Sequence, residues 1–185
     1  MMLLDMGVAN RFSMGGTWAG HFADPNSIRE KEGPVFGVTA QLVDTNGRID
    51  GTMTDLEPTY EVPYKRYIQG MQPKDFQRCE CFARRFTNVT VRLSLPERSR
   101  ITGRVNGEEV EMVKCYDGPQ TVIWLAEGKE IEKEVVPNHR VLYHGRFDQR
   151  GEVLDGQWVI RQPGFLGALG KLAADGSFHL VRQTS

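Results

Sequence analysis

Apolar and polar residues alternate with a period of two along most of this chain. Val89, Val91, Leu93 and Leu95 alternate with Asn88, Thr90, Arg92 and Ser94, and Phe36, Val38, Ala40 and Leu42 repeat the pattern, as do Val141, Tyr143 and Phe147. Such alternation marks strands with one buried face. It predicts ten strands, at about 17–24, 35–44, 47–56, 86–95, 99–106, 109–116, 120–127, 139–148, 152–162 and 177–183. Between them stand turn sequences, Asp44-Thr45-Asn46-Gly47, Asn106-Gly107, Asp117-Gly118-Pro119, Asp148-Gln149-Arg150-Gly151 and Asp175-Gly176. Asn and Gly tolerate the positive φ of hairpin turns, so consecutive strands should pair as neighbours.

The predicted fold class is therefore all-β: a single antiparallel up-and-down β-barrel of about 8–10 strands with one short helix, spanning residues 1–185 as one domain. Closure is favoured because an open sheet of that size would leave two long unpaired edges. A two-sheet β-sandwich is the alternative. Residues 1–14 read as a flexible amino-terminal segment. Residues 57–85 interrupt the meander as an insertion rich in Pro, Tyr and basic residues. Within it Phe76, Cys79, Phe82, Ala83 and Phe86 recur at three- and four-residue spacing, which predicts a short amphipathic helix after Pro73, placed to cap one end of a barrel. Residues 163–174 form an apolar, glycine-dotted loop, either a packed connection or a gate at the barrel mouth.

Charge and composition narrow the classes of partner. With 23 basic and 24 acidic residues the formal charge is −1, so no whole-protein field favours nucleic acid or an anionic membrane. No stretch approaches the ~20 apolar residues that span a bilayer. The amino-terminal stretch lacks a basic region followed by a long apolar run, and the odd count of three cysteines fits reduced thiols, so a soluble, cytoplasmic protein is expected.

The first strand carries Gly16-Thr17-Trp18, and the last carries Phe178, Leu180 and Arg182 on one face. This resembles the calycin arrangement of lipocalins, fatty-acid-binding proteins and avidins. The resemblance implies a calycin-like barrel closed by Trp18 and Arg182, with the guanidinium lying across the indole face. It covers two short motifs. The long insertion at 57–85 and a second Gly-x-Trp, Gly156-Gln157-Trp158, depart from the family pattern.

With the apolar faces pointing inward, the interior would contain Phe22, Val38, Met53, Val91, Met112, Tyr116, Trp124, Tyr143 and Trp158. These residues form either a solid core or the lining of a pocket for one small ligand. Lys114 is the most informative position, because it shares the apolar side of its strand with Val110, Met112 and Tyr116. Asp55 and Arg182 are also in phase with apolar neighbours. The candidate ligand-binding residues are therefore Lys114, Tyr116, Trp124, Tyr143 and Met112, with Lys114 and Arg182 as polar anchors; in the alternative, all three charged groups extend to water from strand ends.

No catalytic residue and no metal site is assigned. Gly-x-Ser-x-Gly and His-Glu-x-x-His are absent, and Gly164 to Lys171 departs from a phosphate-binding loop in its glycine spacing and in having Leu172 where Ser or Thr is needed. Cys79-x-Cys81 lacks a second ligand pair for zinc. Glu127, Glu130, Glu132 and Glu134 read as a solvated loop, and His144 as a surface histidine. The expectation is a barrel that binds a small apolar or anionic ligand, without a cofactor. A structural or protein-interaction domain is the alternative, with homo-oligomerisation open, and an enzyme without a recognisable motif is the third reading.

Overall fold

The computed structural model describes residues 12–23, 35–68, 73–161 and 172–184. Eight strands close into an antiparallel barrel: β1 (Gly16–Ala23), β2 (Val35–Thr45), β3 (Arg48–Asp55), β6 (Arg98–Asn106), β7 (Glu109–Tyr116), β10 (Arg140–Phe147), β11 (Val153–Arg161) and β12 (Leu172–Arg182). Each pairs with its successor, and β12 returns to β1 with Trp18 opposite Arg182. The other four strands, β4 (Thr59–Pro63), β5 (Val89–Ser94), β8 (Gln120–Ala126) and β9 (Lys129–Val136), form a separate sheet in the order β4-β5-β8-β9. Helices α1 (Tyr64–Ile68) and α2 (Pro73–Ala83) lie between β4 and β5.

The ten-strand meander is thus corrected to an eight-strand barrel with two inserted segments, one between β3 and β6 and the other between β7 and β10. The insertions join through β5 and β8, with Val91 opposite Trp124. Both leave from the same barrel end, where β3 and β7 finish. The opposite end carries the tight turns, of which Thr45-Asn46-Gly47-Arg48 is typical: Asn46 and Gly47 have φ of 54° and 83°. Asp44 fixes this turn by accepting from the Gly47 N–H at 2.8 Å, and its second oxygen accepts from the Met14 N–H at 2.9 Å.

Strand β9 replaces the expected acidic loop. Its turn is Glu127-Gly128, with Glu127 at φ 52°, a conformation that Glu seldom supplies. The alternating charges of Lys129 to Glu134 lie on a sheet edge, where they discourage pairing with another chain. Strand β4 was concealed within the insertion and ends on Pro63, which an edge strand tolerates. Asp175-Gly176 is not a turn but part of β12, where Gly176 pairs with Trp158. A Cβ on Gly176 would lie 2.5 Å from the Trp158 indole, so the glycine is the platform on which that ring packs.

The barrel core is filled at its closed end and middle by Met14, Trp18, Ile49, Ile101, Met112, Leu154 and Leu180, all fully buried. Gly145 and Gly156 face each other across β10 and β11, and a Cβ on either would lie 2.7 Å from the Phe178 ring. That glycine pair makes the space the ring occupies. Phe12 stacks on Phe147 at 5.4 Å and Met14 is buried, so these two residues of the expected flexible segment belong to the core. Residues 1–11 lie outside the described residues, as does most of the 163–174 loop.

Helix α2 appears where the spacing placed it, with Cys79 buried. It covers the inserted sheet, not the barrel end: Phe82 and Tyr67 meet the Trp124 ring edge-on at 5.7 and 5.6 Å, in a second core with Ile68, Ala83, Val89, Val91, Leu93 and Val122. No helix among the described residues is long and apolar enough to cross a membrane.

Candidate functional site

At the closed end, the Arg182 guanidinium lies over the Trp18 indole, 4.5 Å from the ring centroid. It donates to the carbonyls of Gly15 and Ser13 and, at 3.4 Å, to that of Gly151. The indole N–H donates to the Met14 carbonyl at 2.9 Å. These contacts seal the bottom of the barrel, so the pairing of Trp18 with Arg182 is seen. They also separate Arg182 from Lys114, because β12 ends where β7 begins. The two cations stand at opposite ends and cannot anchor the same small ligand.

Lys114 lies near the top of β7 with 1 % of its surface exposed, and its ammonium donates to Oδ1 of Asp55, the last residue of β3. Neither charge extends to water, contrary to the alternative expected for strand-end residues. Register explains the encounter. Asp55 and Lys114 occupy inward positions near the carboxyl ends of strands that run the same way, and β6 between them presents Ile101, opposite Lys114, toward the interior. The ammonium also lies 4.5 Å from the Tyr116 ring centroid and 5.5 Å from that of Phe22. Burial lowers the Lys114 pKa below its ordinary value, and the charge and hydrogen bond of Asp55 only partly oppose it. Oδ2 of Asp55 is fully enclosed, and the Tyr116 phenol lies within hydrogen-bonding reach of the same carboxylate.

Above this pair is a cavity of about 210 Å³. Barrel residues Phe22, Phe36, Tyr116, Tyr143, Trp158 and Ile160 form one wall, and Tyr60, Val62 and Arg66 from the insertion form the other. Two aromatic pairs frame it: Phe22 with Tyr143 at 5.4 Å inside the barrel, and Phe36 with Tyr60 at 5.0 Å across the junction with the inserted sheet. Asp55 contributes polar surface, as does Glu57, whose carboxylate accepts from the Gly37 N–H at 2.8 Å. Trp158 is fixed by its indole N–H donating to the Ala23 carbonyl at 3.3 Å.

His139 completes the wall, meeting the Tyr116 ring edge-on at 5.6 Å. Burial first, and the Lys114 charge second, lower its pKa to about 4, against a weaker opposite pull from Asp55. The imidazole is therefore neutral at neutral pH. Burial and then the Asp55 charge push the Tyr116 and Tyr143 phenols well up, so both keep their protons.

Of the residues expected to bind a ligand, Tyr116 and Tyr143 line the cavity. Lys114 lies buried against two of its lining rings and ion-paired to a third lining residue. Met112 belongs to the barrel core. Trp124, together with Val91 of the expected interior, stands in the second core, because β8 left the barrel. His139 went unassigned although its parity is that of Val141 and Tyr143, which could have placed it on the inner face. Tyr60 and Val62 had no such signal, since their position follows from how the inserted sheet sits over the barrel mouth. Comparison of the chain with protein-family models, curated proteins and solved structures finds no match.

Proposed function

We propose that this protein is a calycin-like binding barrel whose open end holds one small, largely apolar molecule. The observation that carries this reading is the aromatic cavity between barrel and inserted sheet. An eight-strand barrel has an interior just wide enough to be filled by side chains or to hold one small ligand. Among the described residues both occur, a filled lower half and a cavity at the upper end. An apolar cavity of about 150 Å³ takes up benzene, so about 210 Å³ accommodates one ring system with a short substituent. The Trp18–Arg182 closure supports the calycin-like reading, and the inserted sheet adds a wall over the mouth.

Ligand-observed NMR with a set of small aromatic fragments tests the reading. Fragments should bind the wild-type protein, shift the resonances of Phe22, Tyr143 and Trp158, and lose binding when Ile160→Trp fills the cavity. Fragments that bind Ile160→Trp equally well, or none that binds at all, would remove the proposal.

A further inference from the structure

We infer that the outer wall of the barrel carries a site for a divalent transition-metal ion such as zinc, ligated by His21 and His179, with Asp155 as the positioning residue. The site is separate from the cavity and stands whatever the cavity binds. Register builds it. His21 of β1 is directly opposite His179 of β12, and His179 is directly opposite Asp155 of β11. Their chain neighbours Phe22, Phe178 and Leu154 are buried in the barrel core. Successive side chains of a strand point to opposite faces, so the two histidines and the aspartate form one outward row across three strands.

The spacing suits two imidazoles sharing one ion. The His21 and His179 ring centroids are 5.5 Å apart, with the planes inclined by 37°. With metal–nitrogen bonds of about 2.0–2.1 Å and angles between tetrahedral and trigonal, two ligating imidazoles place their centroids about 5–5.5 Å apart. Coordination therefore asks for rotation of the rings and leaves the strands where they are.

Asp155 decides which nitrogen of His179 ligates. Its Oδ1 lies 2.6 Å from Nδ1 of His179, and an ionised carboxylate only accepts, so the contact keeps the imidazole proton on Nδ1 and leaves the Nε2 lone pair for the ion. Asp155 approaches from β11 on one flank of β12, and His21 from β1 on the other. A carboxylate behind a ligating histidine fixes the ring and raises its basicity. Arg146, opposite Asp155 on β10, is the cation that would compete for this carboxylate, but its guanidinium is held by Glu108 at 2.6 Å. Among the described residues no cluster of three or more His, Cys, Asp or Glu side chains is placed to hold an ion, so the chain supplies two ligands and water the others. Imidazole ligands favour zinc, nickel or copper over magnesium, which takes oxygen. The ion would also tie β1 to β12 and stabilise the closed barrel by mass action.

The test is calorimetric titration of the full chain, stripped of metal by a chelator, with zinc sulfate and separately with magnesium sulfate. Zinc should bind and magnesium should not. His21→Ala and His179→Ala should each weaken zinc binding at least about tenfold, because the second ligand acts intramolecularly. Asp155→Ala should weaken it about 10–100-fold. His144→Ala, which removes an outward histidine of β10, should bind zinc as the wild type does. All four side chains lie outside the core, and metal-free thermal melts verify that the variants fold. Nitrogen NMR should show zinc shifting Nε2 of His179 while Nδ1 keeps its proton. No zinc binding, equal binding of magnesium, or zinc binding undiminished in His21→Ala or His179→Ala overturns the site, as does a loss in His144→Ala equal to theirs. Zinc binding undiminished in Asp155→Ala, or ligation through Nδ1, overturns the positioning role while leaving the histidine pair.

Discussion

The Lys114–Asp55 pair makes a quantitative prediction about stability. Replacing Lys114 by Met leaves a buried carboxylate without its cation, a change that costs about 3–5 kcal/mol. The attraction of two unit charges at 4 Å is about 4 kcal/mol at an effective dielectric of 20, whereas each ion gives up several kcal/mol of hydration on burial. Burial lowers the Lys114 pKa despite the adjacent carboxylate, so the hydration lost by the ammonium offsets part of that attraction. A well-packed apolar pair of similar volume would avoid both losses of hydration. Replacing both residues, as Lys114→Met with Asp55→Leu, should restore wild-type stability or exceed it by about 1–4 kcal/mol. Urea unfolding at pH 7, followed by tryptophan fluorescence, measures all four corners of the cycle through shifts in midpoint at constant slope. A loss below about 1 kcal/mol for Lys114→Met alone would match an exposed ion pair and refute the burial reasoning. So would a double variant less stable than either single one.

Two further outcomes follow from the same geometry. Arg182→Met should lose about 2 kcal/mol, combining a cation–π contact of ~0.5–2 kcal/mol with unpartnered carbonyls of Ser13 and Gly15. Arg182→Lys should recover only part of it, because an ammonium cannot reproduce the planar fork; full recovery in thermal melts would contradict the closure described. For His139 the folded value of about 4 lies below the ordinary 6.5, so the unfolded chain binds more protons between those values. Stability should then fall as pH drops from about 6.5 toward 4, by about 2–3 kcal/mol for a group this buried. His139→Phe should flatten that part of the pH–stability curve, and an unchanged slope would show that other groups produce it.

The barrel was legible because parity is a local property. Val141 and Tyr143 point inward whatever surrounds them, and Lys114 shares their side of the sheet, so its burial could be anticipated. Partnership was less legible. Asp55 and Lys114 meet only because two strands of the same direction finish at the same height, which depends on a meander interrupted twice. Those interruptions were hidden for physical reasons. Strand β9 is an edge strand written in alternating charges after a Glu-Gly turn, and β5 and β8 have the same alternation as barrel strands although they bury their apolar side against α1 and α2. Trp124 was assigned to the wrong interior for that reason, since alternation tells a strand which face is buried but not what buries it.

The closure by Trp18 and Arg182 has a consequence for how the chain folds. Most barrel neighbours are joined by short turns or by a single inserted segment, so their pairing is local. The seam between β1 and β12 instead unites residues as far apart as Gly15 and Arg182, separated by 167 positions, and contacts so distant in sequence are slow to form. Chain connectivity gives that strand pair no help in finding its register. A guanidinium held against one indole and three backbone carbonyls supplies, at that single seam, the specificity that a two-residue turn supplies elsewhere in the barrel.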